Sequence, residues 1–398
     1  MNGRESDILI LGGGFAGLAA VDELWRRERA GVSVRLIDRL AQSEFSPLLP
    51  DMISGRVRAG HVRFPIEPFC RGRGAEFTRA EAKAIDPAAG AVETAAGTFR
   101  AEQILVALGC ETNYFGDQEL PRRTVGLKRV DEGLAIRRRA EAALSSGTGP
   151  AALLVVGGGY TGIEAASHLA DLCRRRTGLR FARLRTAARI LVVEKASDIL
   201  GSVSPKVRRW ARRLLERFSV EVRTETTIEH VGDDGSVVLS DGEEFADAVV
   251  VWSPGVTPGP AVAALGGEPR VRGRLVVDEF LRVPGRERIF AAGDVAGAVR
   301  PGAEGPPLRM GVQFSLMGGR TAARNVLAAR AGREMEAFDP WDPGYIVPLA
   351  PGKAAGRIMG LPFRGRLPYG MHYFLCMFRS WGWPNRLGVL GDVLRRAE

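Results

Sequence analysis

The stretch Asp7–Gly17, DILILGGGFAG, decides the fold of this chain. Its apolar half predicts a short buried strand, and the pattern after the glycines predicts a helix. Gly12, Gly14 and Gly17 follow G-x-G-x-x-G: the first makes the tight turn, the second admits a pyrophosphate, and the third lets helix pack on strand. Asp38 ends the next predicted strand, 21 residues after Gly17, close to the spacing of about 20 expected for an acid that binds ribose.

The same pattern returns 145 residues later in LLVVGGGYTG, with its glycines at Gly157, Gly159 and Gly162. A helix is predicted behind them, and the strand after it ends in Glu194. This acid lies 32 residues after Gly162, a longer spacing that indicates an arginine-rich insertion at Arg174–Ala188. Two dinucleotide sites in one chain predict two nucleotides that exchange electrons.

The composition is that of a globular protein with a basic surface. The 398 residues are 45% hydrophobic and 26% charged, with a net charge of +10 and a pI of about 10.0. Length predicts two or three domains. The charge favours an anionic partner; no nucleic-acid-binding signature is present, so an acidic membrane surface is the better candidate. Solubility in an arginine-rich proteome explains the charge equally well.

Cysteine usage and hydropathy limit the class of protein. The four cysteines are far apart, which argues against a disulfide framework, a redox dithiol and a metal site. They are Cys70, Cys110, Cys173 and Cys376. No secretion signal and no apolar run of about 18 residues is present. We therefore expect a cytoplasmic protein without a spanning helix or a metal.

Two further segments are predicted to lie near a ligand. Glu44–Val57 reads as an irregular loop at the carboxyl end of the first strands, where ligands lie in such sheets. Met310–Ala329 reads as a helix that contains Gly318 and Gly319, each costing about 1 kcal/mol of helix stability. Close packing against a flat ligand is one physical reason to keep those glycines.

The C-terminal segment Leu361–Glu398 differs from the rest. It interleaves seven aromatic residues with apolar and arginine side chains and is too short and interrupted to span a bilayer. This pattern suits a helix lying in the membrane interface. A dimer interface or a cap on the core is the alternative, and Leu387, Leu390 and Leu394 on one helical face fit either.

Several segments together give the chain a family resemblance. It resembles the two-dinucleotide-binding-domain flavoproteins, a pyridine nucleotide-disulfide oxidoreductase-like group. Within them it is most similar to the type II NADH dehydrogenases, the single-chain, non-pumping NADH:quinone oxidoreductases. The segments concerned are GGGFAGL (12–18), FSPLLP (45–50), ALGCETNYFG (107–116), VVGGGYTGIEAA (155–166), VVWSPGV (250–256) and FAAGDVA (290–296).

The resemblance implies an α/β fold with two Rossmann-like dinucleotide-binding domains. The FAD-binding domain is split by an inserted NADH-binding domain, and a C-terminal membrane-associating or dimerisation region follows. The implied boundaries are 1–116 and 266–338 for the FAD-binding domain, 117–265 for the NADH-binding domain and 339–398 for the C-terminal region.

The resemblance also implies which residues bind non-covalent FAD. The first glycine turn would hold the pyrophosphate, Asp38 the adenosine ribose, Ala82 the adenine, and Asp294 the ribityl or phosphate region. The full implied set is Gly12, Gly14, Phe15, Ala16, Gly17, Asp38, Arg39, Pro47, Ala82, Ala107, Gly109, Gly293, Asp294 and Gln313.

A second implied set binds NADH. The second glycine turn would hold the pyrophosphate, while Glu194 would bind the ribose hydroxyls and repel a 2′-phosphate, a preference that Lys195 softens. Glu164 would lie near the stacked nicotinamide and act as the catalytic acid that moves protons for the quinone; a carboxylate interacting with the helix dipole is the alternative. The implied NADH set is Gly157, Gly159, Tyr160, Thr161, Gly162, Glu194 and Gly255.

The chain departs from the family pattern where the quinone is expected. The family usually shows A-Q-x-x-x-Q-Q-G before the last FAD-domain helix, whereas here the segment reads VQFSLMGG, with Gln313 kept and Met317 and Gly318 in place of the later glutamines. Ser46 replaces the glutamine of the F-Q-P loop. The implied quinone residues are Pro47, Gln313 and Met317, and this departure bears on the identity of the electron acceptor.

The implied activity is hydride transfer from NADH to FAD and transfer of two electrons to a quinone by an enzyme on the cytoplasmic face of the membrane. Three alternatives stay open. One is a ferredoxin- or rubredoxin-type reductase with a protein acceptor. Another is a low-turnover NADH-sensing flavoprotein scaffold. A sulfide:quinone oxidoreductase is the third, although Cys110 and Cys173 do not lie where that family keeps its working cysteines.

Overall fold

The structure is a computed structural model that describes residues 4–27, 31–147, 149–263, 265, 273–302 and 305–395. The strands are β1 Glu5–Leu11, β2 Val34–Asp38, β3 Gln42–Glu44, β4 Arg63–Pro65, β5 Glu76–Arg79, β6 Ala82–Asp86, β7 Ala91–Thr94, β8 Gly97–Val106, β9 Glu111–Thr112, β10 Ala151–Val156, β11 Ala188–Val193, β12 Val220–Arg223, β13 Ile228–Val231, β14 Val237–Leu239, β15 Glu244–Phe245, β16 Ala248–Trp252, β17 Val256–Thr257, β18 Ile289–Ala291, β19 Gly344–Leu349, β20 Lys353–Ile358 and β21 Leu361–Gly365.

The helices alternate with these strands in the α/β pattern that the sequence predicts. The α-helices are α1 Phe15–Arg27, α2 Leu49–Ser54, α3 Ile66–Arg71, α4 Leu120–Arg123, α5 Val130–Ser145, α6 Tyr160–Thr177, α7 Pro205–Arg217, α8 Pro260–Ala263, α9 Val312–Arg330, α10 Arg366–Arg379 and α11 Trp383–Leu394. Short 3₁₀ helices cover Ser46–Leu48, Ala59–His61 and Phe181–Thr186.

The chain divides into two compact units. Unit 1 comprises Met1–Ser43, Phe64–Glu111 and Thr257–Trp341, and unit 2 comprises Glu44–Arg63, Thr112–Val256 and Asp342–Glu398. The predicted domain boundaries differ from these. Residues 44–63 group with unit 2 because α2 packs on α5 and α6, and the chain returns to unit 1 at Thr257, where α8 packs on β6. The predicted boundary at residue 266 lies outside the described residues.

Unit 1 is built on a sheet whose parallel strands run in the order β5-β2-β1-β8-β18. The antiparallel strands β7 and β6 continue from the first half of β8. Ile8, Leu9, Ile10 and Leu11 of β1 are fully buried, as expected for a parallel strand covered on both faces. The sheet therefore brings the carboxyl ends of β1, β2, β8 and β18 to one edge.

Gly319 in α9 lies directly against α1. A Cβ added at Gly319 would overlap the backbone of Ala16, whereas one added at Gly318 would make ordinary contacts with Phe338 and Ala292, 3.5 and 3.7 Å away. The predicted reason for these glycines, packing against a flat ligand, is therefore wrong for Gly319. Its missing side chain lets the two helices approach closely.

Unit 2 contains a second parallel sheet in the order β12-β11-β10-β16. A three-stranded antiparallel sheet, β13-β14-β15, packs its apolar side chains with those of the parallel sheet. Helix α6 follows β10 and buries one continuous apolar face that includes Ile163, Ala166, Leu169 and Cys173. Each unit thus repeats the strand, glycine turn and helix that the sequence predicts.

Three local predictions need correction. The segment Glu44–Val57 is not an irregular loop, because α2 forms inside it and buries Leu49, Met52 and Ile53. The Arg174–Ala188 insertion is partly an extension of α6 to Thr177. The sequence at Leu275–Val277 also predicts a short strand, whereas the structure has an isolated bridge between Leu275 and Ala296 there.

The C-terminal part of unit 2 holds a sheet that the sequence reading did not predict. Strands β19, β20 and β21 form an antiparallel sheet before α10 and α11. Large apolar side chains of these two helices are exposed to solvent, and within each helix they are three, four or seven residues apart. This C-terminal apolar face consists of Leu367, Phe374, Phe378, Trp383, Leu387, Leu390 and Leu394.

Candidate functional site

The first glycine turn has the geometry that a pyrophosphate-binding turn needs. Gly12 has φ = +104°, and a Cβ there would overlap the carbonyl of Ala107. A Cβ on Gly17 would overlap the carbonyl oxygen of Gly12, whereas no atom lies within 4 Å of a Cβ placed on Gly14. The outer glycines are therefore required by the protein's own backbone, and the middle one faces open space.

Asp38 closes this turn from the neighbouring strand. Its Oδ2 accepts a hydrogen bond of 2.6 Å from the N–H of Gly13, and its Oδ1 accepts one of 2.7 Å from the N–H of Leu40. The acid is thus held at the edge of the glycine turn by two backbone N–H groups.

The second glycine turn reproduces the first in detail. Gly157 has φ = +99°, and a Cβ there would overlap the carbonyl of Ser253. A Cβ on Gly162 would overlap the Gly157 carbonyl, and the space around Gly159 is open within 4 Å. The second turn therefore has the same backbone conformation as the first and connects β10 to α6.

Glu194 holds the position in unit 2 that Asp38 holds in unit 1. Its Oε2 accepts from the N–H of Gly158 at 2.6 Å, and its Oε1 accepts from the N–H of Ala196 at 2.7 Å. The longer spacing in sequence is absorbed by the end of α6 and the following 3₁₀ helix, so the geometry of the acid is unchanged. Both units therefore present an open glycine, a helix N-terminus and a fixed carboxylate, which suits a dinucleotide.

The other residues predicted for the first nucleotide lie in unit 1, apart from Pro47. The carbonyl of Ala107 lies against Gly12, Gly109 has φ = +65° with open space around it, and Ala82 begins β6. Arg39 pairs with Glu111 at 2.6 Å. Phe15 and Ala16 form the start of α1.

The Gly293–Asp294 turn lies on the first turn of α1. A Cβ on Gly293, at φ = +82°, would be 3.1 Å from the Cβ of Ala16, and the Cys110 thiol donates to the Asp294 carbonyl at 3.4 Å. A cavity adjoins Asp294 and is lined by Arg274, Phe314 and Phe338 among others. The turn is therefore placed beside the helix that starts at the first glycine turn.

The remaining residues predicted for NADH lie around the second turn in unit 2. Tyr160 and Thr161 begin α6, and the ring of Tyr160 meets the ring of Tyr345 edge-on at 6.2 Å. Gly255 has φ = +152°, and its carbonyl accepts a hydrogen bond of 3.0 Å from Asn113.

The three residues predicted for the quinone are divided between the units. Gln313 and Met317 lie one turn apart on α9 of unit 1, and Pro47 lies in the Ser46–Leu48 turn of unit 2. Their joint role stays a prediction.

Glu164 lies one turn into α6, beyond the helix start. The first turn of α6 carries no acidic residue, so the alternative role of a carboxylate at the helix dipole loses its geometric basis. Burial raises the pKa of Glu164 well above its usual range, and the negative charge of Asp51 raises it further. A carboxyl whose pKa is raised by burial suits proton transfer.

Sequence reasoning missed a buried polar cluster that adjoins Glu164 in unit 2. Its members come from α2, the residue pair after it, α6 and α10, and each is at most 6% exposed. The buried polar cluster consists of Asp51, Ser54, Arg56, His168, Asp171 and Tyr373. A signal was present, since Glu164, His168 and Asp171 recur at helical spacing on an otherwise apolar buried helix.

The four thiols give no support to sulfur chemistry. All four cysteines are buried and unpaired with one another. Burial raises the pKa of Cys70 and of Cys173 to about 12. Reactive cysteines are accessible thiolates, so these two are structural.

Known proteins resemble the chain over nearly its whole length. The type II NADH:quinone oxidoreductase Ndh of Mycobacterium tuberculosis is 29% identical over 91% of this chain and 81% of its own. The type II NADH:quinone oxidoreductase of Staphylococcus aureus is 27% identical over 90% of this chain and 91% of its own. The structure of NDH2 from Plasmodium falciparum in complex with NADH superimposes with a TM-score of 0.85 at 16% identity, covering 99% of this chain and 98% of the other.

The fold is shared more widely. The sulfide:quinone oxidoreductase of Aquifex aeolicus superimposes with a TM-score of 0.76 at 16% identity, over 97% of this chain and 92% of the other. The sequence pattern of the pyridine nucleotide-disulphide oxidoreductases matches residues 6–322. With both glycine turns inside that match, the chain belongs to the pyridine nucleotide-disulphide oxidoreductase family.

Proposed function

We propose that this chain is an FAD-dependent, non-proton-pumping NADH:quinone oxidoreductase. The observation that carries the proposal is the repeated nucleotide geometry, in which each unit pairs an open glycine with a carboxylate fixed by backbone N–H groups. Two such sites suit two nucleotides that exchange electrons. The similarity to type II NADH:quinone oxidoreductases over 90% of the chain or more supports a quinone as the acceptor.

The residues of unit 1 fit FAD. Gly14 leaves room for the pyrophosphate at the start of α1, where unpaired N–H groups favour an anion. Asp38 would bind the adenosine ribose, and Asp294 would lie near the ribityl or phosphate region. When bound, FAD supplies the capacity to accept a hydride and to pass two electrons on.

The residues of unit 2 fit NADH. Gly159 leaves room for the second pyrophosphate, and Glu194 would accept hydrogen bonds from the ribose hydroxyls. The same carboxylate would repel the 2′-phosphate of NADPH. The protein's contribution is to hold the dinucleotide in place and to discriminate between the two forms.

Glu164 would hold a proton close to the nicotinamide end of that site. Burial keeps the pKa of this carboxyl raised. Quinone reduction consumes a proton, so an acid whose pKa is raised towards the working pH is suited to deliver one. Pro47, Gln313 and Met317 would contact the quinone, and Met317 is an apolar side chain at a position where the family pattern has glutamine.

The C-terminal apolar face would bind a membrane surface from the cytoplasmic side. Its side chains are strongly exposed, with Trp383 at 70% and Leu387 at 62%. Arg386 lies over the rings of Phe378 and Trp383, at 5.9 and 5.3 Å, and adds positive charge to the apolar row. Such a face suits an amphipathic helix at an anionic interface. Among the residues that the structure describes, no helix has the length and apolar character to cross a bilayer.

Flotation with anionic liposomes tests the membrane part. Leu387→Ser combined with Leu394→Ser should abolish flotation, whereas Trp341→Ser, an exposed side chain outside the face, should not. If the double variant floats like the wild type and instead loses a dimer in solution, the face is a homodimer interface.

Steady-state reduction of a soluble quinone by NADH tests the enzymatic part. Turnover that requires FAD and prefers NADH supports the proposal. Turnover only with a ferredoxin-type acceptor would overturn it.

A further inference from the structure

The buried polar cluster contains two carboxyl groups with different neighbours, Asp171 and Asp51. Arg56 lies 3.6 Å from Asp171, which also pairs with Arg174 and Arg175 at 3.0 and 3.1 Å. Asp171 is therefore surrounded by guanidinium groups, whose attraction offsets the cost of burying a carboxylate.

Asp51 has different surroundings. It is 2% exposed, and its Oδ1 accepts a hydrogen bond of 2.6 Å from the neutral hydroxyl of Tyr373. Burial raises the pKa of Asp51 to about 7, while the Tyr373 hydrogen bond and the charge of Arg56 act in the opposite direction. Burial outweighs both interactions and favours the protonated form of this carboxyl. Near neutral pH, Asp51 can therefore hold or release a proton.

The hydrogen bonds place that proton on the second oxygen. Because Oδ1 accepts from Tyr373, the carboxyl proton belongs on Oδ2, which lies 3.9 Å from Nε2 of His168. The Ser54 hydroxyl is 2.7 Å from Nδ1 of His168 and donates to the carbonyl of Asp51. That pattern favours a proton on Nδ1 and leaves the lone pair of Nε2 facing Asp51. Burial also lowers the pKa of His168 well below its usual range.

Other titratable groups face Asp51 from each element packed on α2. From α6, Glu164 and Asp171 interact with it electrostatically. From α10, the hydroxyl of Tyr369 lies 3.5 Å from that of Tyr373, and Asp51 raises the pKa of Cys376 further above the effect of burial. From α5, Arg137 lies against Gly55 at the end of α2 but pairs with Glu141 at 2.9 Å.

The proposed reaction needs one proton from outside its substrates. NADH, a quinone and one proton give NAD⁺ and a quinol: the hydride supplies one hydrogen and both electrons, and the second hydrogen is the added proton. We propose that Asp51, held between Tyr373 and His168, stores this proton, gives it up as the quinone is reduced and regains it from solvent. In this proposal Asp51 does not touch the quinone itself. It supplies the proton indirectly and is therefore not a catalytic residue. The inference rests on the proposed function.

The test uses the full-length holoprotein and measures the two half-reactions separately. Stopped-flow absorbance follows reduction by NADH and then reoxidation by a soluble quinone, from pH 5.5 to 8.5. Asp51→Asn keeps an oxygen acceptor for Tyr373 but cannot carry the proton. It should slow reoxidation at pH 6.5 by about tenfold or more, short of the 10²–10⁴ typical of a direct general acid, and leave reduction by NADH unchanged.

Tyr373→Phe gives an independent readout that a purely structural role would not produce. Loss of its hydrogen bond removes an interaction that favours the ionised carboxylate, so the pH midpoint of reoxidation should move to higher pH. Asp392→Asn is the matched control. Asp392 is also a buried carboxyl, 4% exposed, but it ties α11 to His61 at 2.6 Å outside the buried polar cluster. The pH midpoint and the rate of reoxidation of Asp392→Asn should match those of the wild type.

Infrared difference spectra report on the proton itself. At pH 6 the wild type and Asp392→Asn should show a carboxylic-acid C=O band that Asp51→Asn lacks. The proposal is wrong if the band is the same in all three proteins. It is also wrong if Asp51→Asn slows both half-reactions equally, or if it slows neither half-reaction. If quinone fails to reoxidise the wild type, the proposed function fails first, and the band then shows whether Asp51 holds a proton at all.

Discussion

Tyr373 donates a hydrogen bond of 2.6 Å to Asp51 although 322 residues separate them in the chain. The bond ties α10 to α2 inside unit 2, and both side chains are buried. Removing one partner leaves a buried acceptor without its donor, which costs about 1–3 kcal/mol.

Tyr373→Phe should therefore lower the free energy of unfolding by about 1–3 kcal/mol. Urea denaturation at pH 7 measures it. Tyr369→Phe is the control: its hydroxyl lies 3.5 Å from that of Tyr373 and beside the backbone of Gly352. Because its removal leaves no carboxyl group without a donor, it should cost less. Equal losses in the two variants would contradict the importance given to the Asp51 contact.

The raised pKa of Asp51 predicts a specific dependence of stability on pH. Between the usual carboxyl value of 3.8 and about 7, the unfolded chain ionises Asp51 while the folded chain keeps it protonated. Ionisation then stabilises the unfolded state but not the folded one. The free energy of unfolding therefore falls as pH rises through that range and levels off above it. The total is on the order of 4 kcal/mol, since the two pKa values differ by about 3 and a difference of one corresponds to about 1.4 kcal/mol.

Asp51→Asn removes that contribution. The difference in unfolding free energy between the wild type and this variant should shrink from pH 4 to pH 7 and then stay constant. Denaturation curves at half-unit pH intervals measure it. A difference that is flat across this range would mean that Asp51 ionises normally in the folded protein.

Glu194 should decide the choice between NADH and NADPH. Glu194→Gln keeps an acceptor oxygen but removes the charge that repels a 2′-phosphate, and hydrogen bonds to charged groups are worth about 1.5–3 kcal/mol. We expect the ratio of kcat/KM for NADH over NADPH to fall by about tenfold or more. Asp198→Asn, a partly exposed acid paired with Arg208, controls for a general loss of negative charge and should leave the ratio unchanged.

Gly159→Ala should separate nucleotide binding from folding. No atom of the protein lies within 4 Å of the new methyl group, so stability should stay close to the wild type. The methyl group would occupy the space assigned to the pyrophosphate, so KM for NADH should rise by about tenfold or more with the FAD content unchanged. Gly60→Ala, also in open space, is the control. An unaltered KM would show that the second turn does not bind the nucleotide.

The glycine turns could be predicted because their constraints are local. A positive φ at Gly12 and Gly157, and the overlap that a Cβ on Gly17 or Gly162 would cause, follow from backbone geometry within a few residues. Asp38 and Glu194 were predicted correctly as the acids that end the neighbouring strands, although Glu194 lies at an unusual distance in sequence.

The buried polar cluster could not be predicted in the same way. Asp51 and Tyr373 meet only through tertiary packing, and the segment around Asp51 reads as a loop because Pro47 precedes its short helix and Pro50 lies in the first turn of that helix. The sheet β19–β21 was missed because glycine and proline interrupt its apolar pattern. The role of Gly319 depends on the approach of α9 to α1, which its own sequence does not reveal.

A two-step stopped-flow experiment on the wild-type holoprotein tests most directly whether electrons pass from NADH through the flavin to a quinone. Oxidised flavoprotein is mixed first with NADH or NADPH and then with a soluble quinone, while the flavin absorbance is recorded. We predict rapid bleaching by NADH, slower bleaching by NADPH and rapid recovery with the quinone. Bleaching without recovery would contradict a quinone acceptor, and no bleaching by either nucleotide would contradict hydride transfer in this protein.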